Sequence, residues 1–305
     1  MFVSGVDFSR DMTEVSAGSD EARTVVFPNT IRRVRNGLFY GAETLRSAVL
    51  NEGLEVLGTD EYQADGDLQK GVFEESGLAR VRLPSTLKRI EYAVFKMCAS
   101  LKSIQLPDGL EYIGKVAFGK CGLESVTLPN SVREICVQAF FGCESLRDVR
   151  LNEGLRQLGE TEYVKGIKYT GQVFAECGLE SIALPSTLRV IEEDAFYECR
   201  DLKEVQLPEG LEEIKLGAFF KSGLERVDLP ASVRTVAQAA FARCENLKSA
   251  TLNEGLEVLG TDEYSNGDTY YGVFQESPVE HVRLPSTLTR IGYNAFKGCK
   301  SLKEV

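Results

Sequence analysis

The sequence predicts an α/β solenoid: a curved, right-handed array with a parallel sheet of short strands on one face, and short strands with helical or 3-10 turns on the others. Three observations predict it. An apolar residue followed by Pro or Asn recurs eleven times, at Phe27, Leu50, Leu83, Leu106, Leu128, Leu151, Leu184, Leu207, Leu229, Leu252 and Leu284. The steps between these marks are 23, 33, 23, 22, 23, 33, 23, 22, 23 and 32 residues, and a fixed period of about 20–30 residues means stacked units that share one core. A phenylalanine follows each mark, at Phe39, Phe73, Phe95, Phe118, Phe140, Phe174, Phe196, Phe219, Phe241, Phe274 and Phe296.

Each rung opens on a strand. In the rung from Leu179 to Cys199, Ile182 and Leu184 are two residues apart, which puts them on one side of an extended chain and Ser181 and Ala183 on the other. Pro185 ends the strand, because it has no N–H for a ladder. Leu188 and Ile191 sit three apart, and Ala195, Phe196 and Cys199 close the rung at a spacing that suits a tight helical or 3-10 turn. A lone rung of this size buries too little to fold, so neighbours must supply burial on both of its faces.

The unit LxxVxLPxxLxxIxxxAFxxC, seen from Leu123 to Cys143 and again from Leu224 to Cys244, resembles the BspA-type leucine-rich repeat of bacterial surface proteins and many protist proteins. The resemblance covers about residues 22–305. It implies a leucine-rich-repeat solenoid and specifies activity poorly, because members are known mainly as adhesins, surface proteins and proteins of unassigned role. Residues 1–21 match no rung and read as an N-terminal tail or cap. Residues 22–305 read as a single solenoid of about eleven rungs plus the start of a twelfth, since Ser301-Leu302-Lys303-Glu304-Val305 repeats the opening of a strand. An uncapped last rung predicts either a longer array or end-to-end self-association.

Composition narrows the partners. A net charge of −11, from 46 Asp and Glu against 35 Lys and Arg, repels phosphate backbones, and no basic stripe offsets it, so nucleic acid is not expected. No apolar run approaches the ~18 residues needed to span a bilayer, so no transmembrane segment is expected. The first residues lack the basic-then-apolar layout of a signal peptide, and no N-x-S/T site is present. These features favour the cytoplasm, with the cell surface or secretion as the alternative for a trimmed chain.

Cys98, Cys121, Cys143, Cys177, Cys199, Cys244 and Cys299 form a column three residues after the phenylalanines, where other rungs carry Ala42, Ser76, Ser222 and Ser277. One thiol per rung, with no CxxC pair, predicts small structural residues rather than a metal or redox centre. Cys121 with Cys98 or Cys143 are the pairs that adjacent rungs would bring closest. Cys136 follows an inward isoleucine where other rungs have Glu91, Gly114 or Glu192, and is expected near the surface.

The long steps carry the functional content. The marks repeat every 101 residues, at Phe27, Leu128 and Leu229, so the array is a threefold repeat of four rungs. Each repeat extrudes an insertion at the same point, near 58–71, 159–171 and 260–272. Asp65-Gly66 and Asn266-Gly267 are preferred hairpin turns, and Lys165-Gly166 places glycine where positive φ is accessible. Three β-hairpin fingers are therefore expected on one flank. Their stems are alike and their tips differ, which suits a contact surface. The candidate contact residues are Tyr62, Asp65, Asp67, Tyr163, Lys168, Tyr169, Tyr264, Asp268, Tyr270 and Tyr271, six of them among the eleven tyrosines of the chain; tyrosine offers large contact area at small entropic cost. Recent duplication with drifting tips explains the same pattern without a partner.

The acidic residues of the first and third fingers invite calcium, but the middle finger places Lys165 and Lys168 at its tip and none has EF-hand spacing, so no metal and no cofactor are expected. The single histidine, His281, stands beside Arg283 on a strand without a nucleophile, and no catalytic motif occurs. The sequence thus reads as a non-enzymatic protein–protein interaction module using the fingers, the strand face or both. A scaffold subunit in a larger assembly and a glycan-binding surface protein are the alternatives.

Overall fold

The computed structural model describes residues 23–59, 70–164, 167–260 and 271–304, together with short strands at Phe2–Val3, Val6–Asp7 and Thr13–Glu14. The chain divides into two compact units, residues 1–146 and 147–305.

In the first unit, parallel strands Arg23–Val26, Leu45–Val49 and Arg80–Arg82 form one sheet, and Thr13–Glu14 adds to its edge antiparallel to Arg23–Val26. Two-residue strands following each Pro or Asn mark form a second, wholly parallel sheet in the order Arg33–Val34, Val56–Leu57, Arg89–Ile90, Tyr112–Ile113, Glu134–Ile135. The second unit repeats the plan, with Ser181–Ala183 beside Glu204–Gln206, then Arg226–Asp228, Ser249–Thr251 and His281–Arg283, and a second sheet from Val190–Ile191 through Arg290–Ile291. The alternation read from the sequence appears directly: Ser125 and Thr127 are exposed around buried Val126, as are Arg226 and Asp228 around Val227.

A phenylalanine column runs along each unit. Phe39, Phe73, Phe95, Phe118 and Phe140 stack at centroid spacings of 5.3, 5.6, 5.3 and 5.2 Å in the first unit. Phe174, Phe196, Phe219, Phe241, Phe274 and Phe296 continue at 5.8, 5.1, 5.4, 5.6 and 5.7 Å in the second. Planes within 15° of parallel keep successive rungs in register.

The turns around these rings differ from expectation, for no helix or 3-10 turn occurs among the described residues. Backbone geometry gives the reason. The residues two before and two after the ring are left-handed in rung after rung, as at Ala93 (φ 52°) and Met97 (φ 58°) around Phe95, or Asp194 (φ 57°) and Glu198 (φ 54°) around Phe196. Such residues interrupt any right-handed helix and cost about 1–2 kcal/mol each. Neighbouring rungs hold them there: the N–H groups of Ala93, Phe95 and Met97 donate to Lys115, Ala117 and Gly119 of the next rung at 3.0, 2.8 and 2.8 Å. A helix would spend those donors within its own turn, whereas here only the intervening N–H groups close local turns, as Lys96 to Ala93 at 3.1 Å.

All eight cysteines are thiols. The column is more specific than a preference for small residues. Cys98, Cys143, Cys199, Cys244 and Cys299 each donate S–H to the carbonyl of the preceding rung's phenylalanine, at 3.0, 3.0, 2.9, 3.1 and 3.0 Å. Ser277 does the same to Phe241 at 2.8 Å. Burial pushes Cys98, Cys199 and Cys244 up to about 12, which leaves them protonated and able to donate. Cys136 is a correction to the sequence reading: it is 5% exposed, with its sulfur 3.1 Å from the Tyr112 hydroxyl. Glu91 and Glu192 at the same position are buried too, against Arg89 and Lys215, so acidic identity there never meant a surface site.

Candidate interaction surface

The insertions leave and rejoin the rungs through a repeated glycine frame. Gly58, Gly159 and Gly260 take φ of 88°, 65° and 92° at the exits, a region that favours glycine. At the returns there is no room for a side chain: a Cβ on Gly71 would lie 1.7 Å from the Ala93 carbonyl oxygen, and one on Gly272 1.8 Å from that of Asn294. The exits are tied to the rung before, Gly58 N–H to the Val34 carbonyl at 3.1 Å and Gly260 N–H to that of Val236 at 2.7 Å, and the returns pack against the rung after.

Side chains complete each base. At the first finger the Asn36 amide spans Thr59, accepting from its N–H and donating to its carbonyl, both at 2.9 Å. Buried Glu74 accepts from Gly71 N–H at 2.7 Å and from Lys96 Nζ at 2.8 Å; Gln275 takes the corresponding bond from Gly272 at 3.1 Å. Lys70 lies over the Tyr40 ring, 4.4 Å from its centroid.

The second finger is an antiparallel hairpin, Glu162–Val164 against Ile167–Tyr169, with Tyr163 opposite Lys168. Lys168 Nζ reaches Glu193 at 2.6 Å, and Gln172 donates to Asp194 at 3.5 Å. Burial raises the Asp194 carboxyl to about 6, with Glu193 adding to the shift and Thr170, Gln172 and Lys168 opposing it.

At the third finger's return, Tyr271 packs edge-on against Phe220 at 5.2 Å, and Phe220 in turn stacks on Tyr197 at 5.4 Å. The Arg243 guanidinium covers the Tyr271 ring at 4.9 Å.

Of the ten candidate contact residues, Tyr62, Asp65, Asp67, Tyr264, Asp268 and Tyr270 lie outside the described residues, and Tyr163 is described in its backbone alone. Lys168 is exposed and paired with Glu193, Tyr169 is half-buried, and Tyr271 is half-buried against Phe220. Tyr271 and Lys168 therefore anchor finger bases. Asn36, Glu74, Glu193 and Phe220 position the fingers and were not singled out by sequence; the signal of Asn36, Glu193 and Phe220 was faint because each lies in a rung other than that of the finger it supports.

A further threefold device adjoins the fingers. Only long rungs carry Asn-Glu-Gly after the strand, and the next rung always carries Pro-Ser-Thr. The Glu52, Glu153 and Glu254 carboxylates accept from the hydroxyls of Ser85, Ser186 and Ser286 at 2.9, 2.7 and 2.9 Å and from their N–H groups at 3.2, 3.0 and 3.1 Å. Gly53, Gly154 and Gly255 donate to Thr86, Thr187 and Thr287 at 2.9, 2.9 and 3.0 Å. The serine N–H and hydroxyl donors hold all three glutamate carboxyls below the usual carboxylate range.

Residues 66–165, 168–271 and 268–305 match the BspA type leucine rich repeat region, in six copies. Among solved structures, the chain is similar to a leucine-rich repeat protein from Bacteroides ovatus, with 21% identity over 99% of this chain and 93% of that one and a TM-score of 0.60. It is also similar to the pneumococcal vaccine antigen PcpA, with 22% identity over 92% and 73% of the two chains and a TM-score of 0.54. At these identities the likeness speaks to fold. No curated protein matches the chain.

Proposed function

We propose, from the premise that this chain belongs to the BspA-type leucine-rich repeat family, that it is a non-enzymatic recognition module whose fingers meet a protein partner. The observation that carries this reading is the division between fixed bases and varied tips. Glycine frames, buried Glu74 and Gln275, and the Lys168–Glu193 pair hold the insertions at defined points, while the tip sequences differ among repeats whose clasps and stems are otherwise alike. A fixed base lowers the ordering cost that a mobile loop brings to binding. The exposed strand positions are polar and of mixed charge, without the aromatic anchors that dominate interface energetics.

Two sets of substitutions test the reading by quantitative capture of partner from extracts of the source organism. One replaces Tyr62, Tyr163, Tyr264 and Tyr270 with serine; the other replaces Arg82, Arg226 and Arg283 on the strand face with glutamine. The first set is expected to abolish capture and the second to leave it intact. The reverse outcome would move recognition to the sheet.

A further inference from the structure

Beside Tyr271, the second unit carries a notch of about 130 Å³ whose lining includes Arg200, Lys221 and Arg243 with Gly223, Asn246 and Glu245. Three cationic residues from consecutive rungs thus line one small space together with Glu245, and two further carboxylates, Glu198 and Glu276, pair with them. The cations are thereby held in place. Glu198 bonds Arg200 Nη2 and Lys221 Nζ, each at 2.7 Å, and Glu276 bonds Arg243 Nε at 2.9 Å. Neither Glu198 nor Glu276 belongs to the lining, so each holds its cations from outside the notch, and each bond uses only part of the donor capacity of a guanidinium or ammonium group. Tyr271 backs the Arg243 guanidinium, which joins the notch to the finger's return.

We propose that this notch binds a side-chain or terminal carboxylate of an acidic segment in the protein partner. Two of the three cations are arginines, whose planar fork matches a carboxylate bidentately, whereas an ammonium offers only a point charge. Glu245 lines the notch as well and opposes any anion there, so a carboxylate must engage both arginines to bind. The assignment rests on the recognition reading above and names the chemistry of the partner at one point.

Isothermal titration of the full chain at low ionic strength, with an alternating Asp/Glu hexapeptide as probe, tests it. Saturable binding is expected, weakened about tenfold by Arg200→Gln or Arg243→Gln, as loss of one charge-assisted bond implies. It should be unchanged by Arg234→Gln, which removes a cation paired with Glu257 outside the notch, and absent for the Asn/Gln peptide. Melting curves of the variants that match wild type show that the array is intact. No saturable binding, or equal weakening by Arg234→Gln, overturns the proposal; binding of inorganic sulfate without binding of the peptide overturns the carboxylate assignment. Tyr270→Ser leaves this titration unchanged, so failure of the notch and failure of the finger reading are separate results.

Discussion

At the scale of single residues, two buried columns hold the rungs together, and the sequence showed them unequally. The phenylalanines were legible because their spacing is fixed and only a large apolar side chain occupies the position. Phe196 is fully buried between Phe174 and Phe219. Phe196→Ala should cost ~3–5 kcal/mol, because a mid-array cavity cannot collapse between rungs set by their backbone ladders; urea denaturation measures it. The cysteines were legible as small residues but not as donors, since their acceptor lies 25 residues back, in another rung. Cys199→Ser is therefore expected to stay near wild-type stability, following Ser277, while Cys199→Ala should lose ~1–3 kcal/mol by leaving the buried Phe174 carbonyl short of a donor. Equal losses from the two would mean that the thiol only fills space. Cys136 was misread for a related reason: Glu91 and Glu192 looked like surface neighbours until their Arg89 and Lys215 partners came into view.

At the scale of elements, the strands could be read from alternation and the turns could not. A-F-x-x-C has the three-residue spacing of a helical turn, and one rung by itself gives no hint that every second N–H is claimed by the next rung. The Asn-Glu-Gly segments carry no sign, in one rung alone, of a partner, yet each clasps the following Pro-Ser-Thr. The folded-state shift of Glu52, Glu153 and Glu254 is downward from 4.5, so their contribution to stability is present above that value and is lost as pH falls through the lowered folded values. Melting temperature should therefore drop on acidification below about pH 4.5, and Glu153→Gln should flatten that fall while lowering stability at neutral pH. An acid limb identical in wild type and variant would show that the clasps are not coupled to unfolding.

At the scale of the whole molecule, the threefold pattern separates what the repeat must keep from what it leaves free. Glycine frames, clasps and ring columns recur because stacking geometry demands them, and the sequence displays them through sheer repetition. Finger tips obey no such demand, so sequence can place them on a flank without naming what they meet. The bases became readable only when distant residues such as Asn36, Glu193 and Phe220 were found beneath them. The central claim, that the fingers recognise and the rungs support, is tested most directly by removing residues 60–70, 161–171 and 262–271 together and comparing partner capture with that of the intact chain, after confirming that the shortened chain keeps the melting behaviour of a folded array. Loss of capture from a folded, finger-less chain is the predicted result; capture at full strength would contradict it.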